Sequence, residues 1–226
     1  MVLTIMKRLF VFVTLALSAA CTSTQTAPDV TEDGLQRINM KGIDVVYRKP
    51  DADFSGYNEL LLRPIEVTFS KDWKPESQST LYSMNPPDRE EIKKAVAENF
   101  YDVFKQELEQ KGGYKFVQEP AKNVLEVRAA ILDIYITAPD VSMQVAGRVN
   151  TYSADTGQMT LAMELRDSVT GAVLARAYDR RSGTDTGRMH WSNSTWNTAE
   201  ARRIMAVWAD ALRERLDAVN GKTAKT

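Results

Sequence analysis

The chain has 226 residues, with 29 basic and 30 acidic side chains, one histidine and one cysteine. This near balance excludes the electrostatic footprint of a nucleic-acid binder, which needs a clear basic excess. The single cysteine excludes an internal disulfide framework, and the single histidine excludes a histidine metal cluster. With 43% hydrophobic residues, the chain has enough apolar material for one good core.

The first elements form an export signal. Lys7-Arg8 is a short positive head, Leu9 to Leu17 is apolar except for Thr14, and Ser18-Ala19-Ala20 leads to Cys21. Charged head, apolar core and small-residue end are the parts of such a signal. The apolar run is far short of the roughly 20 residues that span a bilayer. Met6, directly before the basic pair, reads as the start. The segment resembles the bacterial lipobox at Ala19, Ala20 and Cys21, with Ser18 where the pattern carries a branched apolar residue. The resemblance implies cleavage before Cys21 and acylation of its thiol. Three acyl chains, at about 0.8 kcal/mol per buried CH₂, would hold the protein almost permanently. In the Gram-negative sorting pattern an aspartate after the cysteine retains a protein at the inner membrane. Thr22 stands there, so the implied address is the outer membrane, with the body on its periplasmic face.

Removing residues 1–20 takes away Lys7 and Arg8 and leaves 27 basic against 30 acidic side chains, a net charge of −3. Residues 21–39 read as the lipidated cysteine and a flexible tether. Thr22 to Asp33 is small, polar and unpatterned, and those twelve residues could extend to roughly 40 Å. Residues 40–221 are expected to form one domain, and 222–226 a frayed tail.

Within the domain, Ile43 to Tyr47 alternates as a short strand. Asn58 to Phe69 reads as a strand with Pro64 marking an edge or bulge. Residues 70–87 read as loop. Asp88 with Glu91 has capping-box spacing, and Ile92, Ala95, Val96, Asn99, Val103, Phe104 and Leu108 form a helical stripe that Gly112-Gly113 ends. Tyr114 to Val117 is a short strand and Asn123 to Thr137 a long one, whose alternation changes parity near Ile131 and so predicts a bulge. Residues 138–156 read as loop or irregular insertion. Met159 to Leu165 and Ala172 to Arg181 alternate around a turn at Asp167 to Gly171 and predict a hairpin. Residues 182–197 read as a polar and aromatic loop. The last helix starts near Thr198, places Ile204, Met205, Trp208, Ala211, Leu212, Leu216 and Val219 on one stripe, and stops at Gly221. These elements predict an α+β fold: a two-layer sandwich of an antiparallel or mixed sheet of about five strands, with two main helices packed on one face.

Several segments together resemble a family of Gram-negative lipoproteins of unknown function (DUF3313-like), over roughly residues 40–219. The resemblance rests on Tyr47, Asp51, Asp53-Phe54 and Tyr57; on Leu60 to Val67; on Asp167, Thr170-Gly171, Asp179-Arg180-Arg181 and Gly183; and on Trp208-Ala209, Leu212-Arg213 and Leu216-Asp217. It implies surface localisation and no established activity. The element order is also similar, more distantly, to α/β domains of the TolB amino-terminal type and of curli-pore lipoproteins.

No catalytic constellation stands out. A Ser-His-Asp or Cys-His site would have to use His190, which no G-x-S-x-G elbow accompanies. Gly221-Lys222-Thr223 has the end of a phosphate loop, but Leu216 occupies the place of its first glycine. No cofactor or metal is expected. Asp179, Arg180 and Arg181 are candidates for ion pairing or for holding an anion. Arg188, His190, Trp191 and Trp196 are candidate contacts for a partner, since tryptophan in a polar loop is a common anchor for proteins and sugars. The expected function is a membrane-anchored, non-enzymatic binding or accessory module of the cell envelope. Its partners are the membrane through the N-terminal lipid and an unidentified envelope protein or glycan, and no nucleic acid. The alternative is a hydrolase or transferase acting on an envelope glycan through Asp179 paired with Glu164 or Asp185, which requires two carboxylates roughly 5–10 Å apart in a cleft.

Overall fold

The computed structural model describes residues 27–73, 86–136, 151–153, 157–183, 190–192 and 194–222. Ten strands and two helices follow in order: β1 (Gln36–Ile38), β2 (Val45–Arg48), β3 (Glu59–Leu62), β4 (Glu66–Phe69), α1 (Pro86–Lys105, continued by a π-helical turn Gln106–Lys111), β5 (Lys115–Phe116), β6 (Val124–Tyr135), β7 (Thr151–Ser153), β8 (Gln158–Asp167), β9 (Val173–Ser182), β10 (His190–Ser192) and α2 (Ser194–Val219). Among the described residues no helix is long and apolar enough to cross a membrane.

Eight strands form one mixed sheet in the order β1-β2-β9-β8-β6-β3-β5, with β4 also paired to β6. The fold is α+β as expected, but the sheet is larger than about five strands, for two physical reasons. Pro64 cannot donate to a ladder, so the expected strand over 58–69 splits into β3 and β4, which lie along successive halves of β6, both parallel to it. The stretch expected as tether also supplies a strand: β1 pairs β2, and Leu35 beside it is only 1% exposed. β7 and β10 form a separate two-stranded ladder, Thr151 opposite Ser192 and Ser153 opposite His190. Residues 151–153 and 190–192 are therefore strand where loop was expected, because the two short segments satisfy each other's backbone groups.

Both helices lie on the same face of the large sheet. Phe100, Phe104 and Leu108 from α1 and Met205, Trp208 and Leu216 from α2 share one core with Leu125, Val127, Ile131, Leu161 and Met163 from β6 and β8. The apolar stripe of α1 runs through Phe100 rather than Asn99. Phe100 stacks on Phe104 with ring centroids 3.9 Å apart, whereas Asn99 turns to the Ala95 carbonyl and to Arg202 of α2. On α2 the expected stripe holds through Leu216, but Val219 is exposed. That helix begins at Ser194, four residues before its expected start. Lys222, expected in the frayed tail, is docked: its amine bonds the Gly112 carbonyl and sits over the Tyr114 ring.

The parity change in β6 is a bulge. Register shifts between Leu132 and Tyr135, Asp133 adopts a φ of +53°, and Ile134 returns to the core. Gly157, which precedes β8, seats against this bulge with a φ of +102°, and a Cβ there would lie 1.9 Å from the Tyr135 carbonyl oxygen. Gly157→Ala is therefore expected to cost about 3 kcal/mol, read from urea melts. A loss under about 1 kcal/mol would mean that the bulge yields easily.

Candidate functional site

Strand register defines what the other face of the sheet carries. Arg37, Tyr47, Arg176, Glu164 and Arg128 are cross-strand neighbours in one row over β1, β2, β9, β8 and β6. The next row is Glu66, Ala130, Ala162, Tyr178 and Val45. On the far side of the charged row, Glu126 is opposite Arg166. The Glu-x-Arg order of β6 (Glu126, Arg128) meets the Glu-x-Arg order of β8 (Glu164, Arg166) antiparallel, so each acid faces a base across the strands. Such pairs contribute about 0.2–1 kcal/mol each.

The charges are bonded into a network. Glu126, only 4% exposed, accepts two hydrogen bonds from Arg63 at 2.9 and 3.1 Å and one from Arg128. Glu164 accepts from Arg176 Nε at 2.6 Å and from Arg166. Arg176 reaches on to Asp33 at 2.8 Å. Burial by itself would raise both glutamates; the guanidiniums around them outweigh it and hold both carboxyls below the usual range. Asp33 is held low by the Thr31 hydroxyl and then by Arg176. Ala130 and Ala162, too small to fill their row, floor a shallow groove of about 540 Å³ walled by Arg63, Arg128, Glu164 and Tyr178. Tyr178 is 42% exposed. Among the described residues no helix packs on this face.

The N-terminal segment lies over one end of the same face. The Tyr47 hydroxyl donates to the Pro28 carbonyl at 2.9 Å and Arg37 donates to the Ala27 carbonyl at 3.2 Å. Thr31 and Asp33 close a turn ahead of β1. Tyr47 is buried beneath this segment.

Asp179 sits elsewhere. It is paired with Leu161 and so points into the helix-covered core, 3% exposed. Its carboxylate accepts from Trp208 Nε1 at 2.7 Å, from Arg181 Nε at 2.6 Å and from the Asp44 backbone N–H at 3.0 Å. Arg181 also donates to the Gly42 carbonyl. Asp179 and Arg181 thus form the expected ion pair, but it is closed on itself rather than open to an anion. Arg180 points to the opposite, exposed side, and its backbone N–H bonds Asp44. The Asp179–Glu164 pair of the enzymatic alternative does not assemble. Glu164 is three residues from Leu161, the partner of Asp179, and an odd offset along a strand puts the two carboxylates on opposite faces of the sheet. Asp185 lies outside the described residues.

Of the expected partner contacts, His190 and Trp191 are in β10 and Trp196 is in the first turn of α2. Placement of their side chains, and all of Arg188 and Cys21, lies outside the described residues. The open-face network was missed although its signal was present: the repeated Glu-x-Arg on the wet side of two strands expected to lie in one sheet. Among the described residues no group of three or more His, Cys, Asp or Glu is placed to hold a metal.

The segments quoted for the family resemblance are joined to one another. Tyr57 donates to Asp167 at 2.7 Å, Trp208 to Asp179, and Arg213 to Asp217 at 3.0 Å; Tyr114 also donates to Asp217, at 2.9 Å. Asp167 also caps its own turn through the Thr170 N–H and hydroxyl. These residues fasten the loop before β3, the hairpin and α2 together.

Fold and face together define an α+β domain with two helices on one side of a mixed sheet and an arginine–carboxylate network on the other. The chain belongs to the family of proteins of unknown function DUF3313, whose model matches residues 30–212. No curated protein matches it. Solved structures similar to the chain include the PelC dodecamer from Paraburkholderia phytofirmans (11% identity, covering 74% of this chain and 96% of that one, TM-score 0.36). A minor lipoprotein from Acinetobacter baumannii is similar at 10% identity, covering 72% and 94%, with a TM-score of 0.33. Lipoprotein GNA1162 from Neisseria meningitidis is similar at 16% identity, covering 69% and 99%, with a TM-score of 0.21.

Two measurements check these contacts. Trp208→Ala should destabilise the domain by about 3–5 kcal/mol in chemical melts, as for emptying any large aromatic core site. Trp208→Phe, which keeps most of the ring but removes the donor to Asp179, should cost less, about 1–3 kcal/mol. For Tyr57, partial burial and then the Asp167 hydrogen bond push the phenol up to about 12 from an ordinary 10.0. A raised folded-state value means that its stabilisation is whole below pH 10 and is lost as pH climbs from about 10 to about 12. Tyr57→Phe should remove that limb from a plot of melting temperature against pH. An unchanged alkaline profile would count against the pairing.

Proposed function

We propose that this chain is a lipid-anchored lipoprotein of the Gram-negative envelope, held at the outer membrane with its body on the periplasmic side. The body is a non-enzymatic binding or accessory module. The observation that carries the reading is the placement of Cys21. It ends an export-type segment, is the chain's single cysteine, and lies six residues before Ala27, whose backbone, with that of Pro28, is pinned to the sheet. An anchor placed so close holds the whole domain near the bilayer. The binding-module reading is supported by the carboxylates themselves: Asp179 and Glu164 are occupied by donors from their own fold. The partner contact is assigned to Arg188, His190, Trp191 and Trp196, toward an envelope protein or glycan.

Metabolic labelling with palmitate tests the anchor. Wild-type protein should take up label and accumulate as precursor under globomycin, while Cys21→Ala should take up none. Unlabelled wild-type protein would refute the anchor. Crosslinking in intact envelopes should recover a partner with the wild type, and a body that recovers none would count against the binding role.

A further inference from the structure

We propose that the open, arginine-rich face of the sheet is the membrane-facing surface of the body and rests on an anionic lipid bilayer. The inference rests on acylation of Cys21 and adds to it an orientation.

The first argument is the route of the chain. Ala27 and Pro28 are held by Arg37 and Tyr47, whose side chains belong to the open-face row that continues through Arg176 and Glu164. The polypeptide therefore leaves the body over this face. Only six Cα steps separate Ala27 from Cys21, a reach of roughly 20 Å at most. The Ala130–Ala162 groove, between β6 and β8, lies about three strand spacings from β2, or roughly 15 Å. It is thus within the radius that the anchor sweeps. Turning the helices to the membrane would require the tether to pass round the sheet edge and over a layer of helices about 10 Å thick, which uses its whole length.

The second argument is charge. The open face carries Arg37, Arg63, Arg128, Arg166, Arg176 and Arg180 against Glu66, Glu126 and Glu164, and the segment laid over one end of it adds Asp29, Glu32 and Asp33. Six charges of each sign balance there, but the sheet itself presents guanidinium outward: Arg63 and Arg128 are 42% and 52% exposed over Glu126 at 5%. The helix layer leans the other way: α1 with its π-turn holds seven acidic and five basic residues, and α2 four of each. Guanidiniums bond phosphate oxygens through two parallel N–H groups. Tyr178, exposed beside them, has the amphipathic ring that suits the headgroup region. A neutral surface would give this asymmetry nothing to act on, so the occupant is a bilayer containing an acidic phospholipid.

The test uses the full-length, acylated protein in vesicles. Acylation consumes the Cys21 thiol and the chain has no other, so one introduced cysteine takes a thiol-reactive fluorophore alone. Thr160→Cys and Arg180→Cys place it on the open face, and Glu98→Cys places it on the exposed side of α1. In phosphatidylethanolamine–phosphatidylglycerol vesicles doped with a headgroup nitroxide, both open-face positions should be quenched several-fold more than Glu98→Cys. The difference should shrink in 1 M salt, where the screening length falls to about 3 Å, and in vesicles without phosphatidylglycerol. Equal quenching on the two sides, stronger quenching at α1, or indifference to phosphatidylglycerol would overturn the orientation while leaving the anchor standing. A mature protein whose mass shows no acyl chains would overturn the anchor and the orientation with it.

Discussion

A sheet of eight strands has two faces, and among the described residues two long helices are there to cover them. Both helices bury their apolar stripes on one side, because a single shared core removes more apolar surface from water than two half-covered faces would. The opposite side must then be compatible with water while keeping the strands in register. The pattern on β6 and β8 does both. From Leu125 to Ile131 on β6 and from Leu161 to Leu165 on β8, apolar residues toward the helices alternate with Glu, Arg or Ala away from them, and the antiparallel register sets Glu against Arg. A one-residue slip would turn Leu161 and Met163 to solvent and Glu164 into the core, so the same alternation that wets one face locks the other.

The polar groups that do enter the core follow from the same economy of layers. Asp179 falls on the core side of β9, where an unpaired carboxylate would be severely destabilising. It is tolerated because Trp208 from α2, Arg181 from its own strand and the Asp44 backbone N–H fill its acceptor sites. This ties the long C-terminal helix to the turn before β2. Tyr57 with Asp167, and Tyr114 with Asp217, play the same part at the other end of the domain. Directional bonds of this kind specify which turn of α2 sits over which strand, something that leucine and methionine contacts alone leave loosely defined. Asp179, Arg181, Trp208, Tyr57, Asp167 and Asp217 are among the residues on which the family resemblance rests, and each of them holds the scaffold together.

The N-terminal segment is part of the scaffold. Leu35 enters the core and Asp33 completes the Arg176–Glu164 chain of charges, so residues that read as tether belong to the body. On the proposed reading only six residues separate Cys21 from Ala27 of the body, against the twelve or so expected for a tether. A long linker lets a domain tumble, while a short one leaving from a particular face constrains orientation.

Local signals were legible in the sequence alone. The period of α1 and α2, the hairpin after Asp167, the parity change in β6 and the interrupting role of Pro64 each depend on residues close together in the chain. The sequence could also place Trp208 in the core, because its neighbours at helical spacing determine that. It could not show that Asp179 and Glu164 face opposite ways, that Arg63 closes on Glu126, or that the chain before β1 folds over the sheet. The last two depend on pairings between segments from about 60 to more than 140 residues apart, and the first on the register of the β8–β9 hairpin, where Leu161 meets Asp179. Periodicity determines that a strand has two faces; only the packing of the helices decides which face is inside.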